Sequence, residues 1–438
     1  MLARSVILNV VGRVGGLAIG FAASVILARA LGPSDRGLLA EMLAVSSLAL
    51  IVAGIGIPLA VVYYSSRPHA SPAALLGNSL AWTLGLVAVL VPLAWWLHDP
   101  IADAVGHGRG GEVWILAAAL VPATFLDWTT HNQIIGALRF GLFNALAIAA
   151  RVVYLVGIVV LVAVLGFGAG AAIVASILAS LAMVIGSLPS ILRAGRPRLD
   201  GRLMGAMLRY GARVQVGSLF QATNARFDVL ILQGFRPLAD VGYYIVAQTI
   251  AELVITLATA FQTSVLPLVA RYEGDARQGV TSADSVRHYG ILAAVATMVN
   301  AAFGTVVILF AFGPSFHPAV APMLVLLPGI WFLGVGTVIQ GDLGGRGRPG
   351  LSSALAGVAA VVTVALDFAL IPRFGVMGAA VASVIAYFVY GFASLLALSR
   401  VSRVSLRDMV VPRRTDFAAY LRLVRSLPAR VRRGREGA

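Results

Sequence analysis

Arg13 stands inside the first long apolar stretch of this chain, in step with Asn9, Gly16, Gly20 and Ser24 at the spacing that places them on one face of a helix. No acid in that stretch can pair with it. A guanidinium fork matches phosphate oxygens two at a time, so the chemistry it suggests is the holding of an oxyanion. Other apolar stretches repeat the pattern: Thr124, Asp127 and His131 in the fourth, Asn144 and Arg151 in the fifth, Gln221, Asn224 and Asp228 in the seventh, and Gln248, Glu252, Thr256, Thr259 and Thr263 in the eighth. Arg151 and Arg226 are candidates to join Arg13 at an anion, with Asn9, Asn224 and Gln221 completing a polar cavity. The acids Asp228, Glu252, Asp127 and Asp367 are candidates to hold or relay a coupling cation. Structural pairing competes with each of these roles, because a buried arginine and a buried acid can simply lock two helices together. Arg226 lies about 200° around a helix from Asp228, so the two point different ways.

These groups must be carried by membrane helices. Hydrophobic residues make up 59% of the 438, charged residues only 12%, and the mean hydropathy is +0.92, which no soluble fold of this length could bury. About twelve stretches reach the ~20 residues that a ~30 Å hydrocarbon core requires: 6–28, 38–64, 74–97, 112–136, 142–165, 169–192, 211–234, 240–269, 289–312, 319–340, 351–371 and 374–398. Lipid offers the backbone no hydrogen-bond partner, so each must be a helix, and the fold expected is an all-α polytopic membrane protein. A charge facing lipid costs at least ~2.5 to 3.5 kcal/mol, and five helices with aligned polar faces therefore imply a shared interior.

An arginine-rich loop divides the spans six and six. The organisation expected is an N-terminal lobe over 1–195, a basic cytoplasmic linker over 196–210, a C-terminal lobe over 211–399 and a basic tail over 400–438. A shift of 209 residues superposes Gly141 on Gly350 and Gly166 on Gly375, and a shift of 205 superposes Asp35 on Asp240 and Gly37 on Gly242. Two parallel six-helix repeats account for both, with a cavity at their interface and solute movement as its use. Arg29, Arg36, Arg109, Arg236 and Arg373 fall in outer loops if the N-terminus is inside, Arg13, Arg151 and Arg226 fall within spans, and all other arginines are then inner. That bias places both termini in the cytoplasm.

Several chemistries are excluded or disfavoured. All 33 basic residues are arginine, so there is no lysine for a nucleotide-binding P-loop, and cysteine is absent. Gly345, Gly347 and Gly350 match a dinucleotide motif but lie in a short inter-span loop, and His98, Asp99, Asp103 and His107 fit no metal-ligand spacing. No cofactor, metal or nucleic-acid partner is expected. After the last span Phe417, Tyr420, Leu421, Val424 and Leu427 form an apolar stripe among Arg413, Arg414, Arg422 and Arg425, the pattern of a helix lying on anionic lipid.

The segments "ILARALGPSDRGLLA", "FDVLILQGFRPLADVGYYIVAQTI" and "ALIPRFGVMGAAVAS" resemble the polysaccharide-biosynthesis branch of the multidrug/oligosaccharidyl-lipid/polysaccharide exporter superfamily. The resemblance implies twelve helices in two lobes that open alternately to each side of a bacterial cell membrane. It implies movement of an undecaprenyl-pyrophosphate-linked oligosaccharide, such as an O-antigen or other polysaccharide repeat unit, from inner to outer leaflet, without enzymatic chemistry. It implies a monomer working beside other polysaccharide assembly proteins. Arg13 then matches a cavity arginine of the first helix, and Asp228 the acid of the seventh. Where the related lipid II flippases tend to have a second first-helix arginine, this chain has Ile19. Two rivals remain on the residues alone: a drug or cation antiporter of the same fold, and a membrane glycosyltransferase or polymerase, which the short outer loops disfavour.

The topology is directly testable because the chain carries no native cysteine. Asp103→Cys should react with an impermeant thiol reagent added outside intact cells while Arg198→Cys stays silent. Labelling of Arg198→Cys in sealed cells would reverse the orientation.

Overall fold

In a computed structural model the described residues are 2–67, 71–104, 111–137, 139–272, 275, 277–413 and 416; the side chains of 2–15, 17, 140, 213, 214, 216–226, 267 and 349 are not among those described. Helices make up nearly all of this, and no strand occurs among the described residues. Helix α1 runs Leu2–Gly54, and as a straight rod its 53 residues would reach about 80 Å, far beyond a ~30 Å hydrocarbon core. It does not stay straight. Gly32 adopts φ 69° and ψ 178°, Pro33 follows, and the chain folds back so that Arg36 Nη2 donates to Ser24 Oγ at 3.4 Å, a pair about 18 Å apart along a continuous helix.

Further on come α2 (Ile57–Ser65), α3 (Pro72–Ala104), α4 (Val113–Gly136), α5 (Phe140–Gly157, running on as a π-turn to Val164), α6 (Gly168–Leu192) and α7 (Gly201–Phe235). The remainder comprises α8 (Leu238–Ala251), a 3₁₀ turn Glu252–Val254, α9 (Ile255–Arg271), α10 (Arg277–Val306, ending in a π-turn Val307–Phe312), α11 (Val320–Gly345), α12 (Pro349–Ser402) and a short α13 (Leu406–Val410). Like α1, the 54-residue α12 is two helices joined at a bend. Gly375 leaves the helical region (φ 56°, ψ −131°) just after Pro372, and the return strand of the bend brings Gly378 against the Leu370 carbonyl. Nine described stretches are long and apolar enough to cross a membrane, and two of them, Ala18–Gly54 and Gly350–Ser402, contain these bends. With both bends counted and α7 added, the expected twelve spans are accounted for.

By packing, the chain forms two compact units: one holds the chain through Gln248 with Thr305–Met323 and Ala360–Ala382, the other Thr249–Gly304, Leu324–Ala359 and the chain from Ser383. In the first unit a core of Leu27, Leu38, Leu39 and Met42 packs on Trp114, Ala117, Ile158 and the alanines Ala169, Ala171, Ala172 and Ala175 of α6. Small residues on α6 let its neighbours approach closely, which replaces the hydrophobic drive that lipid cannot supply. The second unit is stitched by polar contacts at buried backbone: Asn300 donates to the Ile250 carbonyl at 2.9 Å and Trp331 to the Gly290 carbonyl at 3.0 Å.

Residues 196–210, expected as a linker, are irregular only through Asp200, whose side chain caps α7 by accepting from the Leu203 N–H at 3.0 Å. Asn78 then clasps Asp200 in both directions, donating to its carbonyl at 2.9 Å and accepting its N–H at 3.0 Å. The second expected span is interrupted where Ile55 (φ 44°) and Gly56 (φ 65°) turn left-handed. Any side chain at Gly56 or Gly211 would strike the other's backbone, so α2 and α7 touch main chain to main chain, with Tyr63 stacked on Tyr210 at 4.3 Å and Gln215 donating to the Ile51 carbonyl at 2.5 Å. Gly211→Val should therefore lower the midpoint of thermal unfolding in detergent, reflecting a cost of about 1–3 kcal/mol for overpacking. An unchanged midpoint would show that α7 does not depend on this contact.

Candidate functional site

The polar faces read from sequence converge in part. On α1, Gly16 is buried against the Arg151 guanidinium of α5, which occupies the space a side chain at Gly16 would need. Arg151 thus lies against the helical stripe that also carries Asn9 and Arg13, and Gly16 is the residue that makes room for it. The side chains of Asn9, Arg13, Gln221, Asn224 and Arg226 lie outside the described residues. Asp127 is half-buried and pairs within its own helix, Oδ1 lying 3.1 Å from His131 Nδ1, and among the described residues no arginine reaches it.

A second cluster is built by α7, α8 and α12. Asp228 is 1% exposed; its Oδ1 accepts the Val229 N–H at 2.8 Å and its Oδ2 accepts the Tyr244 hydroxyl at 2.7 Å. Asp367, fully buried, lies within electrostatic range of Asp228, and neither of its oxygens has a hydrogen-bond partner among the described residues. Two neighbouring buried carboxyl groups repel one another when both are ionised. A shared proton or a bound cation is the kind of group that would relieve the repulsion. Glu252 sits apart from this pair, exposed at the 3₁₀ turn that breaks the eighth span, and Thr256 and Thr263 continue its open polar face, their hydroxyls bonded back to their own helix. A 3₁₀ break at a charged residue inside a membrane helix is the local geometry of a hinge.

At the bend end of α1 two glycines make reciprocal backbone contacts between the return half of α1 and α8. A side chain at Gly37 would strike the Leu238 carbonyl, and one at Gly242 would strike the Pro33 carbonyl. The 205-residue shift that aligns Gly37 with Gly242 also aligns Pro33 with Leu238, so one contact is made twice, as at a twofold axis. Arg29 ties α1 to the π-turn after α10 by donating from Nε to the Ala311 carbonyl at 2.5 Å and from Nη2 to the Phe310 carbonyl at 2.6 Å. Arg236 holds the α12 bend through the carbonyls of Pro372 and Arg373. These arginines were expected in outer loops; Arg36 is instead buried at 8% exposure, its Nε without a partner among the described residues. The turn at Gly32 is too tight to form a loop, so Arg36 begins the return helix and is drawn inside.

Glu41 was missed. It is fully buried on the return half of α1, with neither oxygen hydrogen-bonded among the described residues. A lone acid without polar residues in step offered no stripe to flag it. The described part of the His98 loop shows only His98 paired to Asp99, and no group of metal-holding residues occurs among the described residues.

A family model described as polysaccharide biosynthesis protein matches residues 26–321. The chain belongs to that family. The match covers the α1 bend, the paired-glycine contact and Asp228, and the membership agrees with the superfamily branch read from sequence. Among its relatives, the probable low-salt glycan biosynthesis flippase Agl15 of Haloferax volcanii is 24% identical over 397 residues, 88% of this chain and 81% of that one. An uncharacterised membrane protein of Methanocaldococcus jannaschii, MJ1068, is 33% identical over 92 residues, which span 21% of this chain and only 18% of the relative. The fold is that of an inward-facing multidrug resistance MATE family transporter of the MOP superfamily (TM-score 0.74, 14% identity, 89% of this chain and 96% of that one). It is equally that of the lipid II flippase MurJ in an inward closed conformation (TM-score 0.74, 15% identity, 92% and 88%).

The acid pair yields a stability contrast. Asp228→Leu removes the acceptor of the Tyr244 hydroxyl and should cost about 1–3 kcal/mol of thermal stability. Asp367→Leu strands no described partner and should leave the unfolding midpoint unchanged or raise it. Equal losses in both variants would mean that Asp367 is structurally paired.

Proposed function

We propose that this protein is a flippase that moves an undecaprenyl-pyrophosphate-linked oligosaccharide from the inner to the outer leaflet of a bacterial cell membrane by alternating access. Family membership in polysaccharide biosynthesis carries the reading, on a helical fold whose polar stripe gathers Arg151 beside the helix of Arg13. In this account the arginines meet the pyrophosphate, with Asn9, Gln221 and Asn224 on the same polar interior, and Arg226 adds a third cation from α7. The glycan sits among those polar faces and the polyprenyl tail stays in lipid. The reading makes the protein a transporter rather than an enzyme, leaving its substrate chemically unchanged.

Both termini are taken as cytoplasmic on the arginine distribution, which makes the bend end of α1 the outer end. The Gly37 and Gly242 contacts and the Arg29 bonds then close the outer exit and must break for the glycan to leave. Main chain to main chain contact at the two glycines lends itself to that motion, since it carries no side-chain hydrogen bond to break. Asp228 and Asp367 supply the coupling: a proton or cation held between them changes the balance of charge on α7, α8 and α12 as the bundle rearranges. The same pair favours a second reading, a drug or cation antiporter, whose fold this chain shares.

Deletion separates these readings. Cells lacking the protein should accumulate the lipid-linked oligosaccharide on the cytoplasmic leaflet, because the charged head group cannot cross hydrocarbon unaided. Complementation with Arg13→Ala should leave the lipid accumulated although the variant is inserted at normal abundance, and Arg13→Lys should relieve it only in part, since the bidentate fork is lost. Unchanged lipid-linked glycans together with new sensitivity to cationic drugs would select the antiporter.

A further inference from the structure

Beyond the last membrane helix the chain makes a built turn rather than a loose end. α12 stops at Ser402, and Arg403 takes a left-handed backbone (φ 58°), a strained conformation for a residue with a side chain. The Val404 N–H donates to Ser402 Oγ at 3.3 Å and the Val404 carbonyl accepts the Ser399 hydroxyl at 2.7 Å, fixing the turn. Ser405 then caps α13, accepting the Asp408 N–H at 3.1 Å.

The segment that follows is clamped to α10 by one buried arginine. Arg287, 3% exposed, donates from Nε to Asp416 Oδ2 at 2.8 Å, from Nη1 to the Asp408 carbonyl at 2.6 Å and from Nη2 to Asp284 Oδ1 at 2.5 Å. Asp416 Oδ2 also accepts the Arg413 N–H at 2.8 Å, and the Arg413 side chain bonds Asp408 Oδ1 at 2.5 Å. Burial alone would raise the Asp416 carboxyl, but the Arg287 and Arg413 bonds outweigh it and hold the group below its ordinary range. The clamp is accordingly closed at neutral pH and is lost only as pH falls through that depressed value.

The clamp turns Met409 fully inward and leaves Val410 and Val411 43% and 47% exposed, flanked by exposed Arg403, Arg407 and Arg413. Arg403 and Arg407 have no ion-pair partner among the described residues. Apolar side chains interleaved with unpaired arginines, one turn beyond a membrane-crossing helix, match the boundary between acyl chains and acidic head groups. The sequence beyond Asp416 adds Arg422, Arg425, Arg430, Arg432, Arg433 and Arg435 against the single acid Glu436, and lies outside the described residues.

We propose that residues 403–413, clamped by Arg287, form a docking surface for the anionic face of the lipid bilayer. The valines enter the interface, Arg403 and Arg407 meet lipid phosphates, and Arg287 transmits the docked position to α10. The proposal rests on the chain spanning the membrane and not on which substrate it carries, so it survives or fails apart from the flippase reading.

The full-length protein, with Val410→Cys as its only cysteine, is reconstituted in phosphatidylcholine with or without phosphatidylglycerol. Labelling by a water-soluble maleimide should slow about tenfold or more when phosphatidylglycerol is present, following ~1 kcal/mol for each basic residue near an anionic surface. Added salt should reverse the protection. Arg403→Gln with Arg407→Gln should abolish the dependence on phosphatidylglycerol without altering topology, and Arg287→Ala should leave Val410→Cys reactive in both lipids. Equal labelling in the two lipids, or protection that persists without the two arginines, would overturn the proposal. Protection by a soluble polyanion such as RNA in pure phosphatidylcholine would overturn it as well, assigning the surface to a different partner.

Discussion

Hydrocarbon has nothing to offer a polar group, and every feature of this molecule answers to that fact. Backbone donors and acceptors are satisfied within helices. Where the helix must end inside the apolar length of sequence, glycine does the work: Gly32 and Gly375 reverse α1 and α12 within a single residue each, which leaves almost no unpaired backbone. The same constraint governs side chains. Thr256, Thr263 and Ser79 return their hydroxyls to their own helix, and Asp228 is kept with a hydroxyl and an amide on its two oxygens.

Against that background the groups left without a partner among the described residues are the costly ones. Asp367 and Glu41 are fully buried acids with no described hydrogen bond, and the Nε of buried Arg36 is likewise unmatched. Such groups cost several kcal/mol unless something compensates them, so a static bundle would gain by losing them. A transporter that takes up and releases ions or protons during its cycle has a use for them. The reciprocal contacts of Gly37 and Gly242, related by the 205-residue shift, are likewise made backbone to backbone, where neither position has room for a side chain.

Much of this was legible in the sequence, and the exceptions share a cause. The spans and the helix that carries Asp228 follow from local periodicity, and the pairing of Gly37 with Gly242 from the 205-residue shift, which the chain states residue by residue. Arg151 was singled out, but its placement beside Gly16 of α1, like the pairing of Asp127 with His131 one turn away, is a packing fact that helical periodicity does not specify. Tyr244, Arg29 and Arg287 became visible only through partners that lie far off in sequence, from 16 residues for Tyr244 with Asp228 to 282 for Arg29 with Ala311. Arg36 was placed in a loop because a one-residue bend leaves no trace in hydropathy.

The central claim is that the fold moves a lipid-linked glycan between leaflets without altering it. Its most direct test is purified protein in sealed vesicles seeded with a polyprenyl-pyrophosphate oligosaccharide, followed by digestion with a glycosidase that cannot enter. If the account holds, protein-containing vesicles expose nearly all of the glycan to the enzyme while protein-free vesicles expose only the outer-leaflet share, and the recovered lipid is chemically intact. Identical exposure in the two preparations, in an ion gradient of either direction, would contradict it.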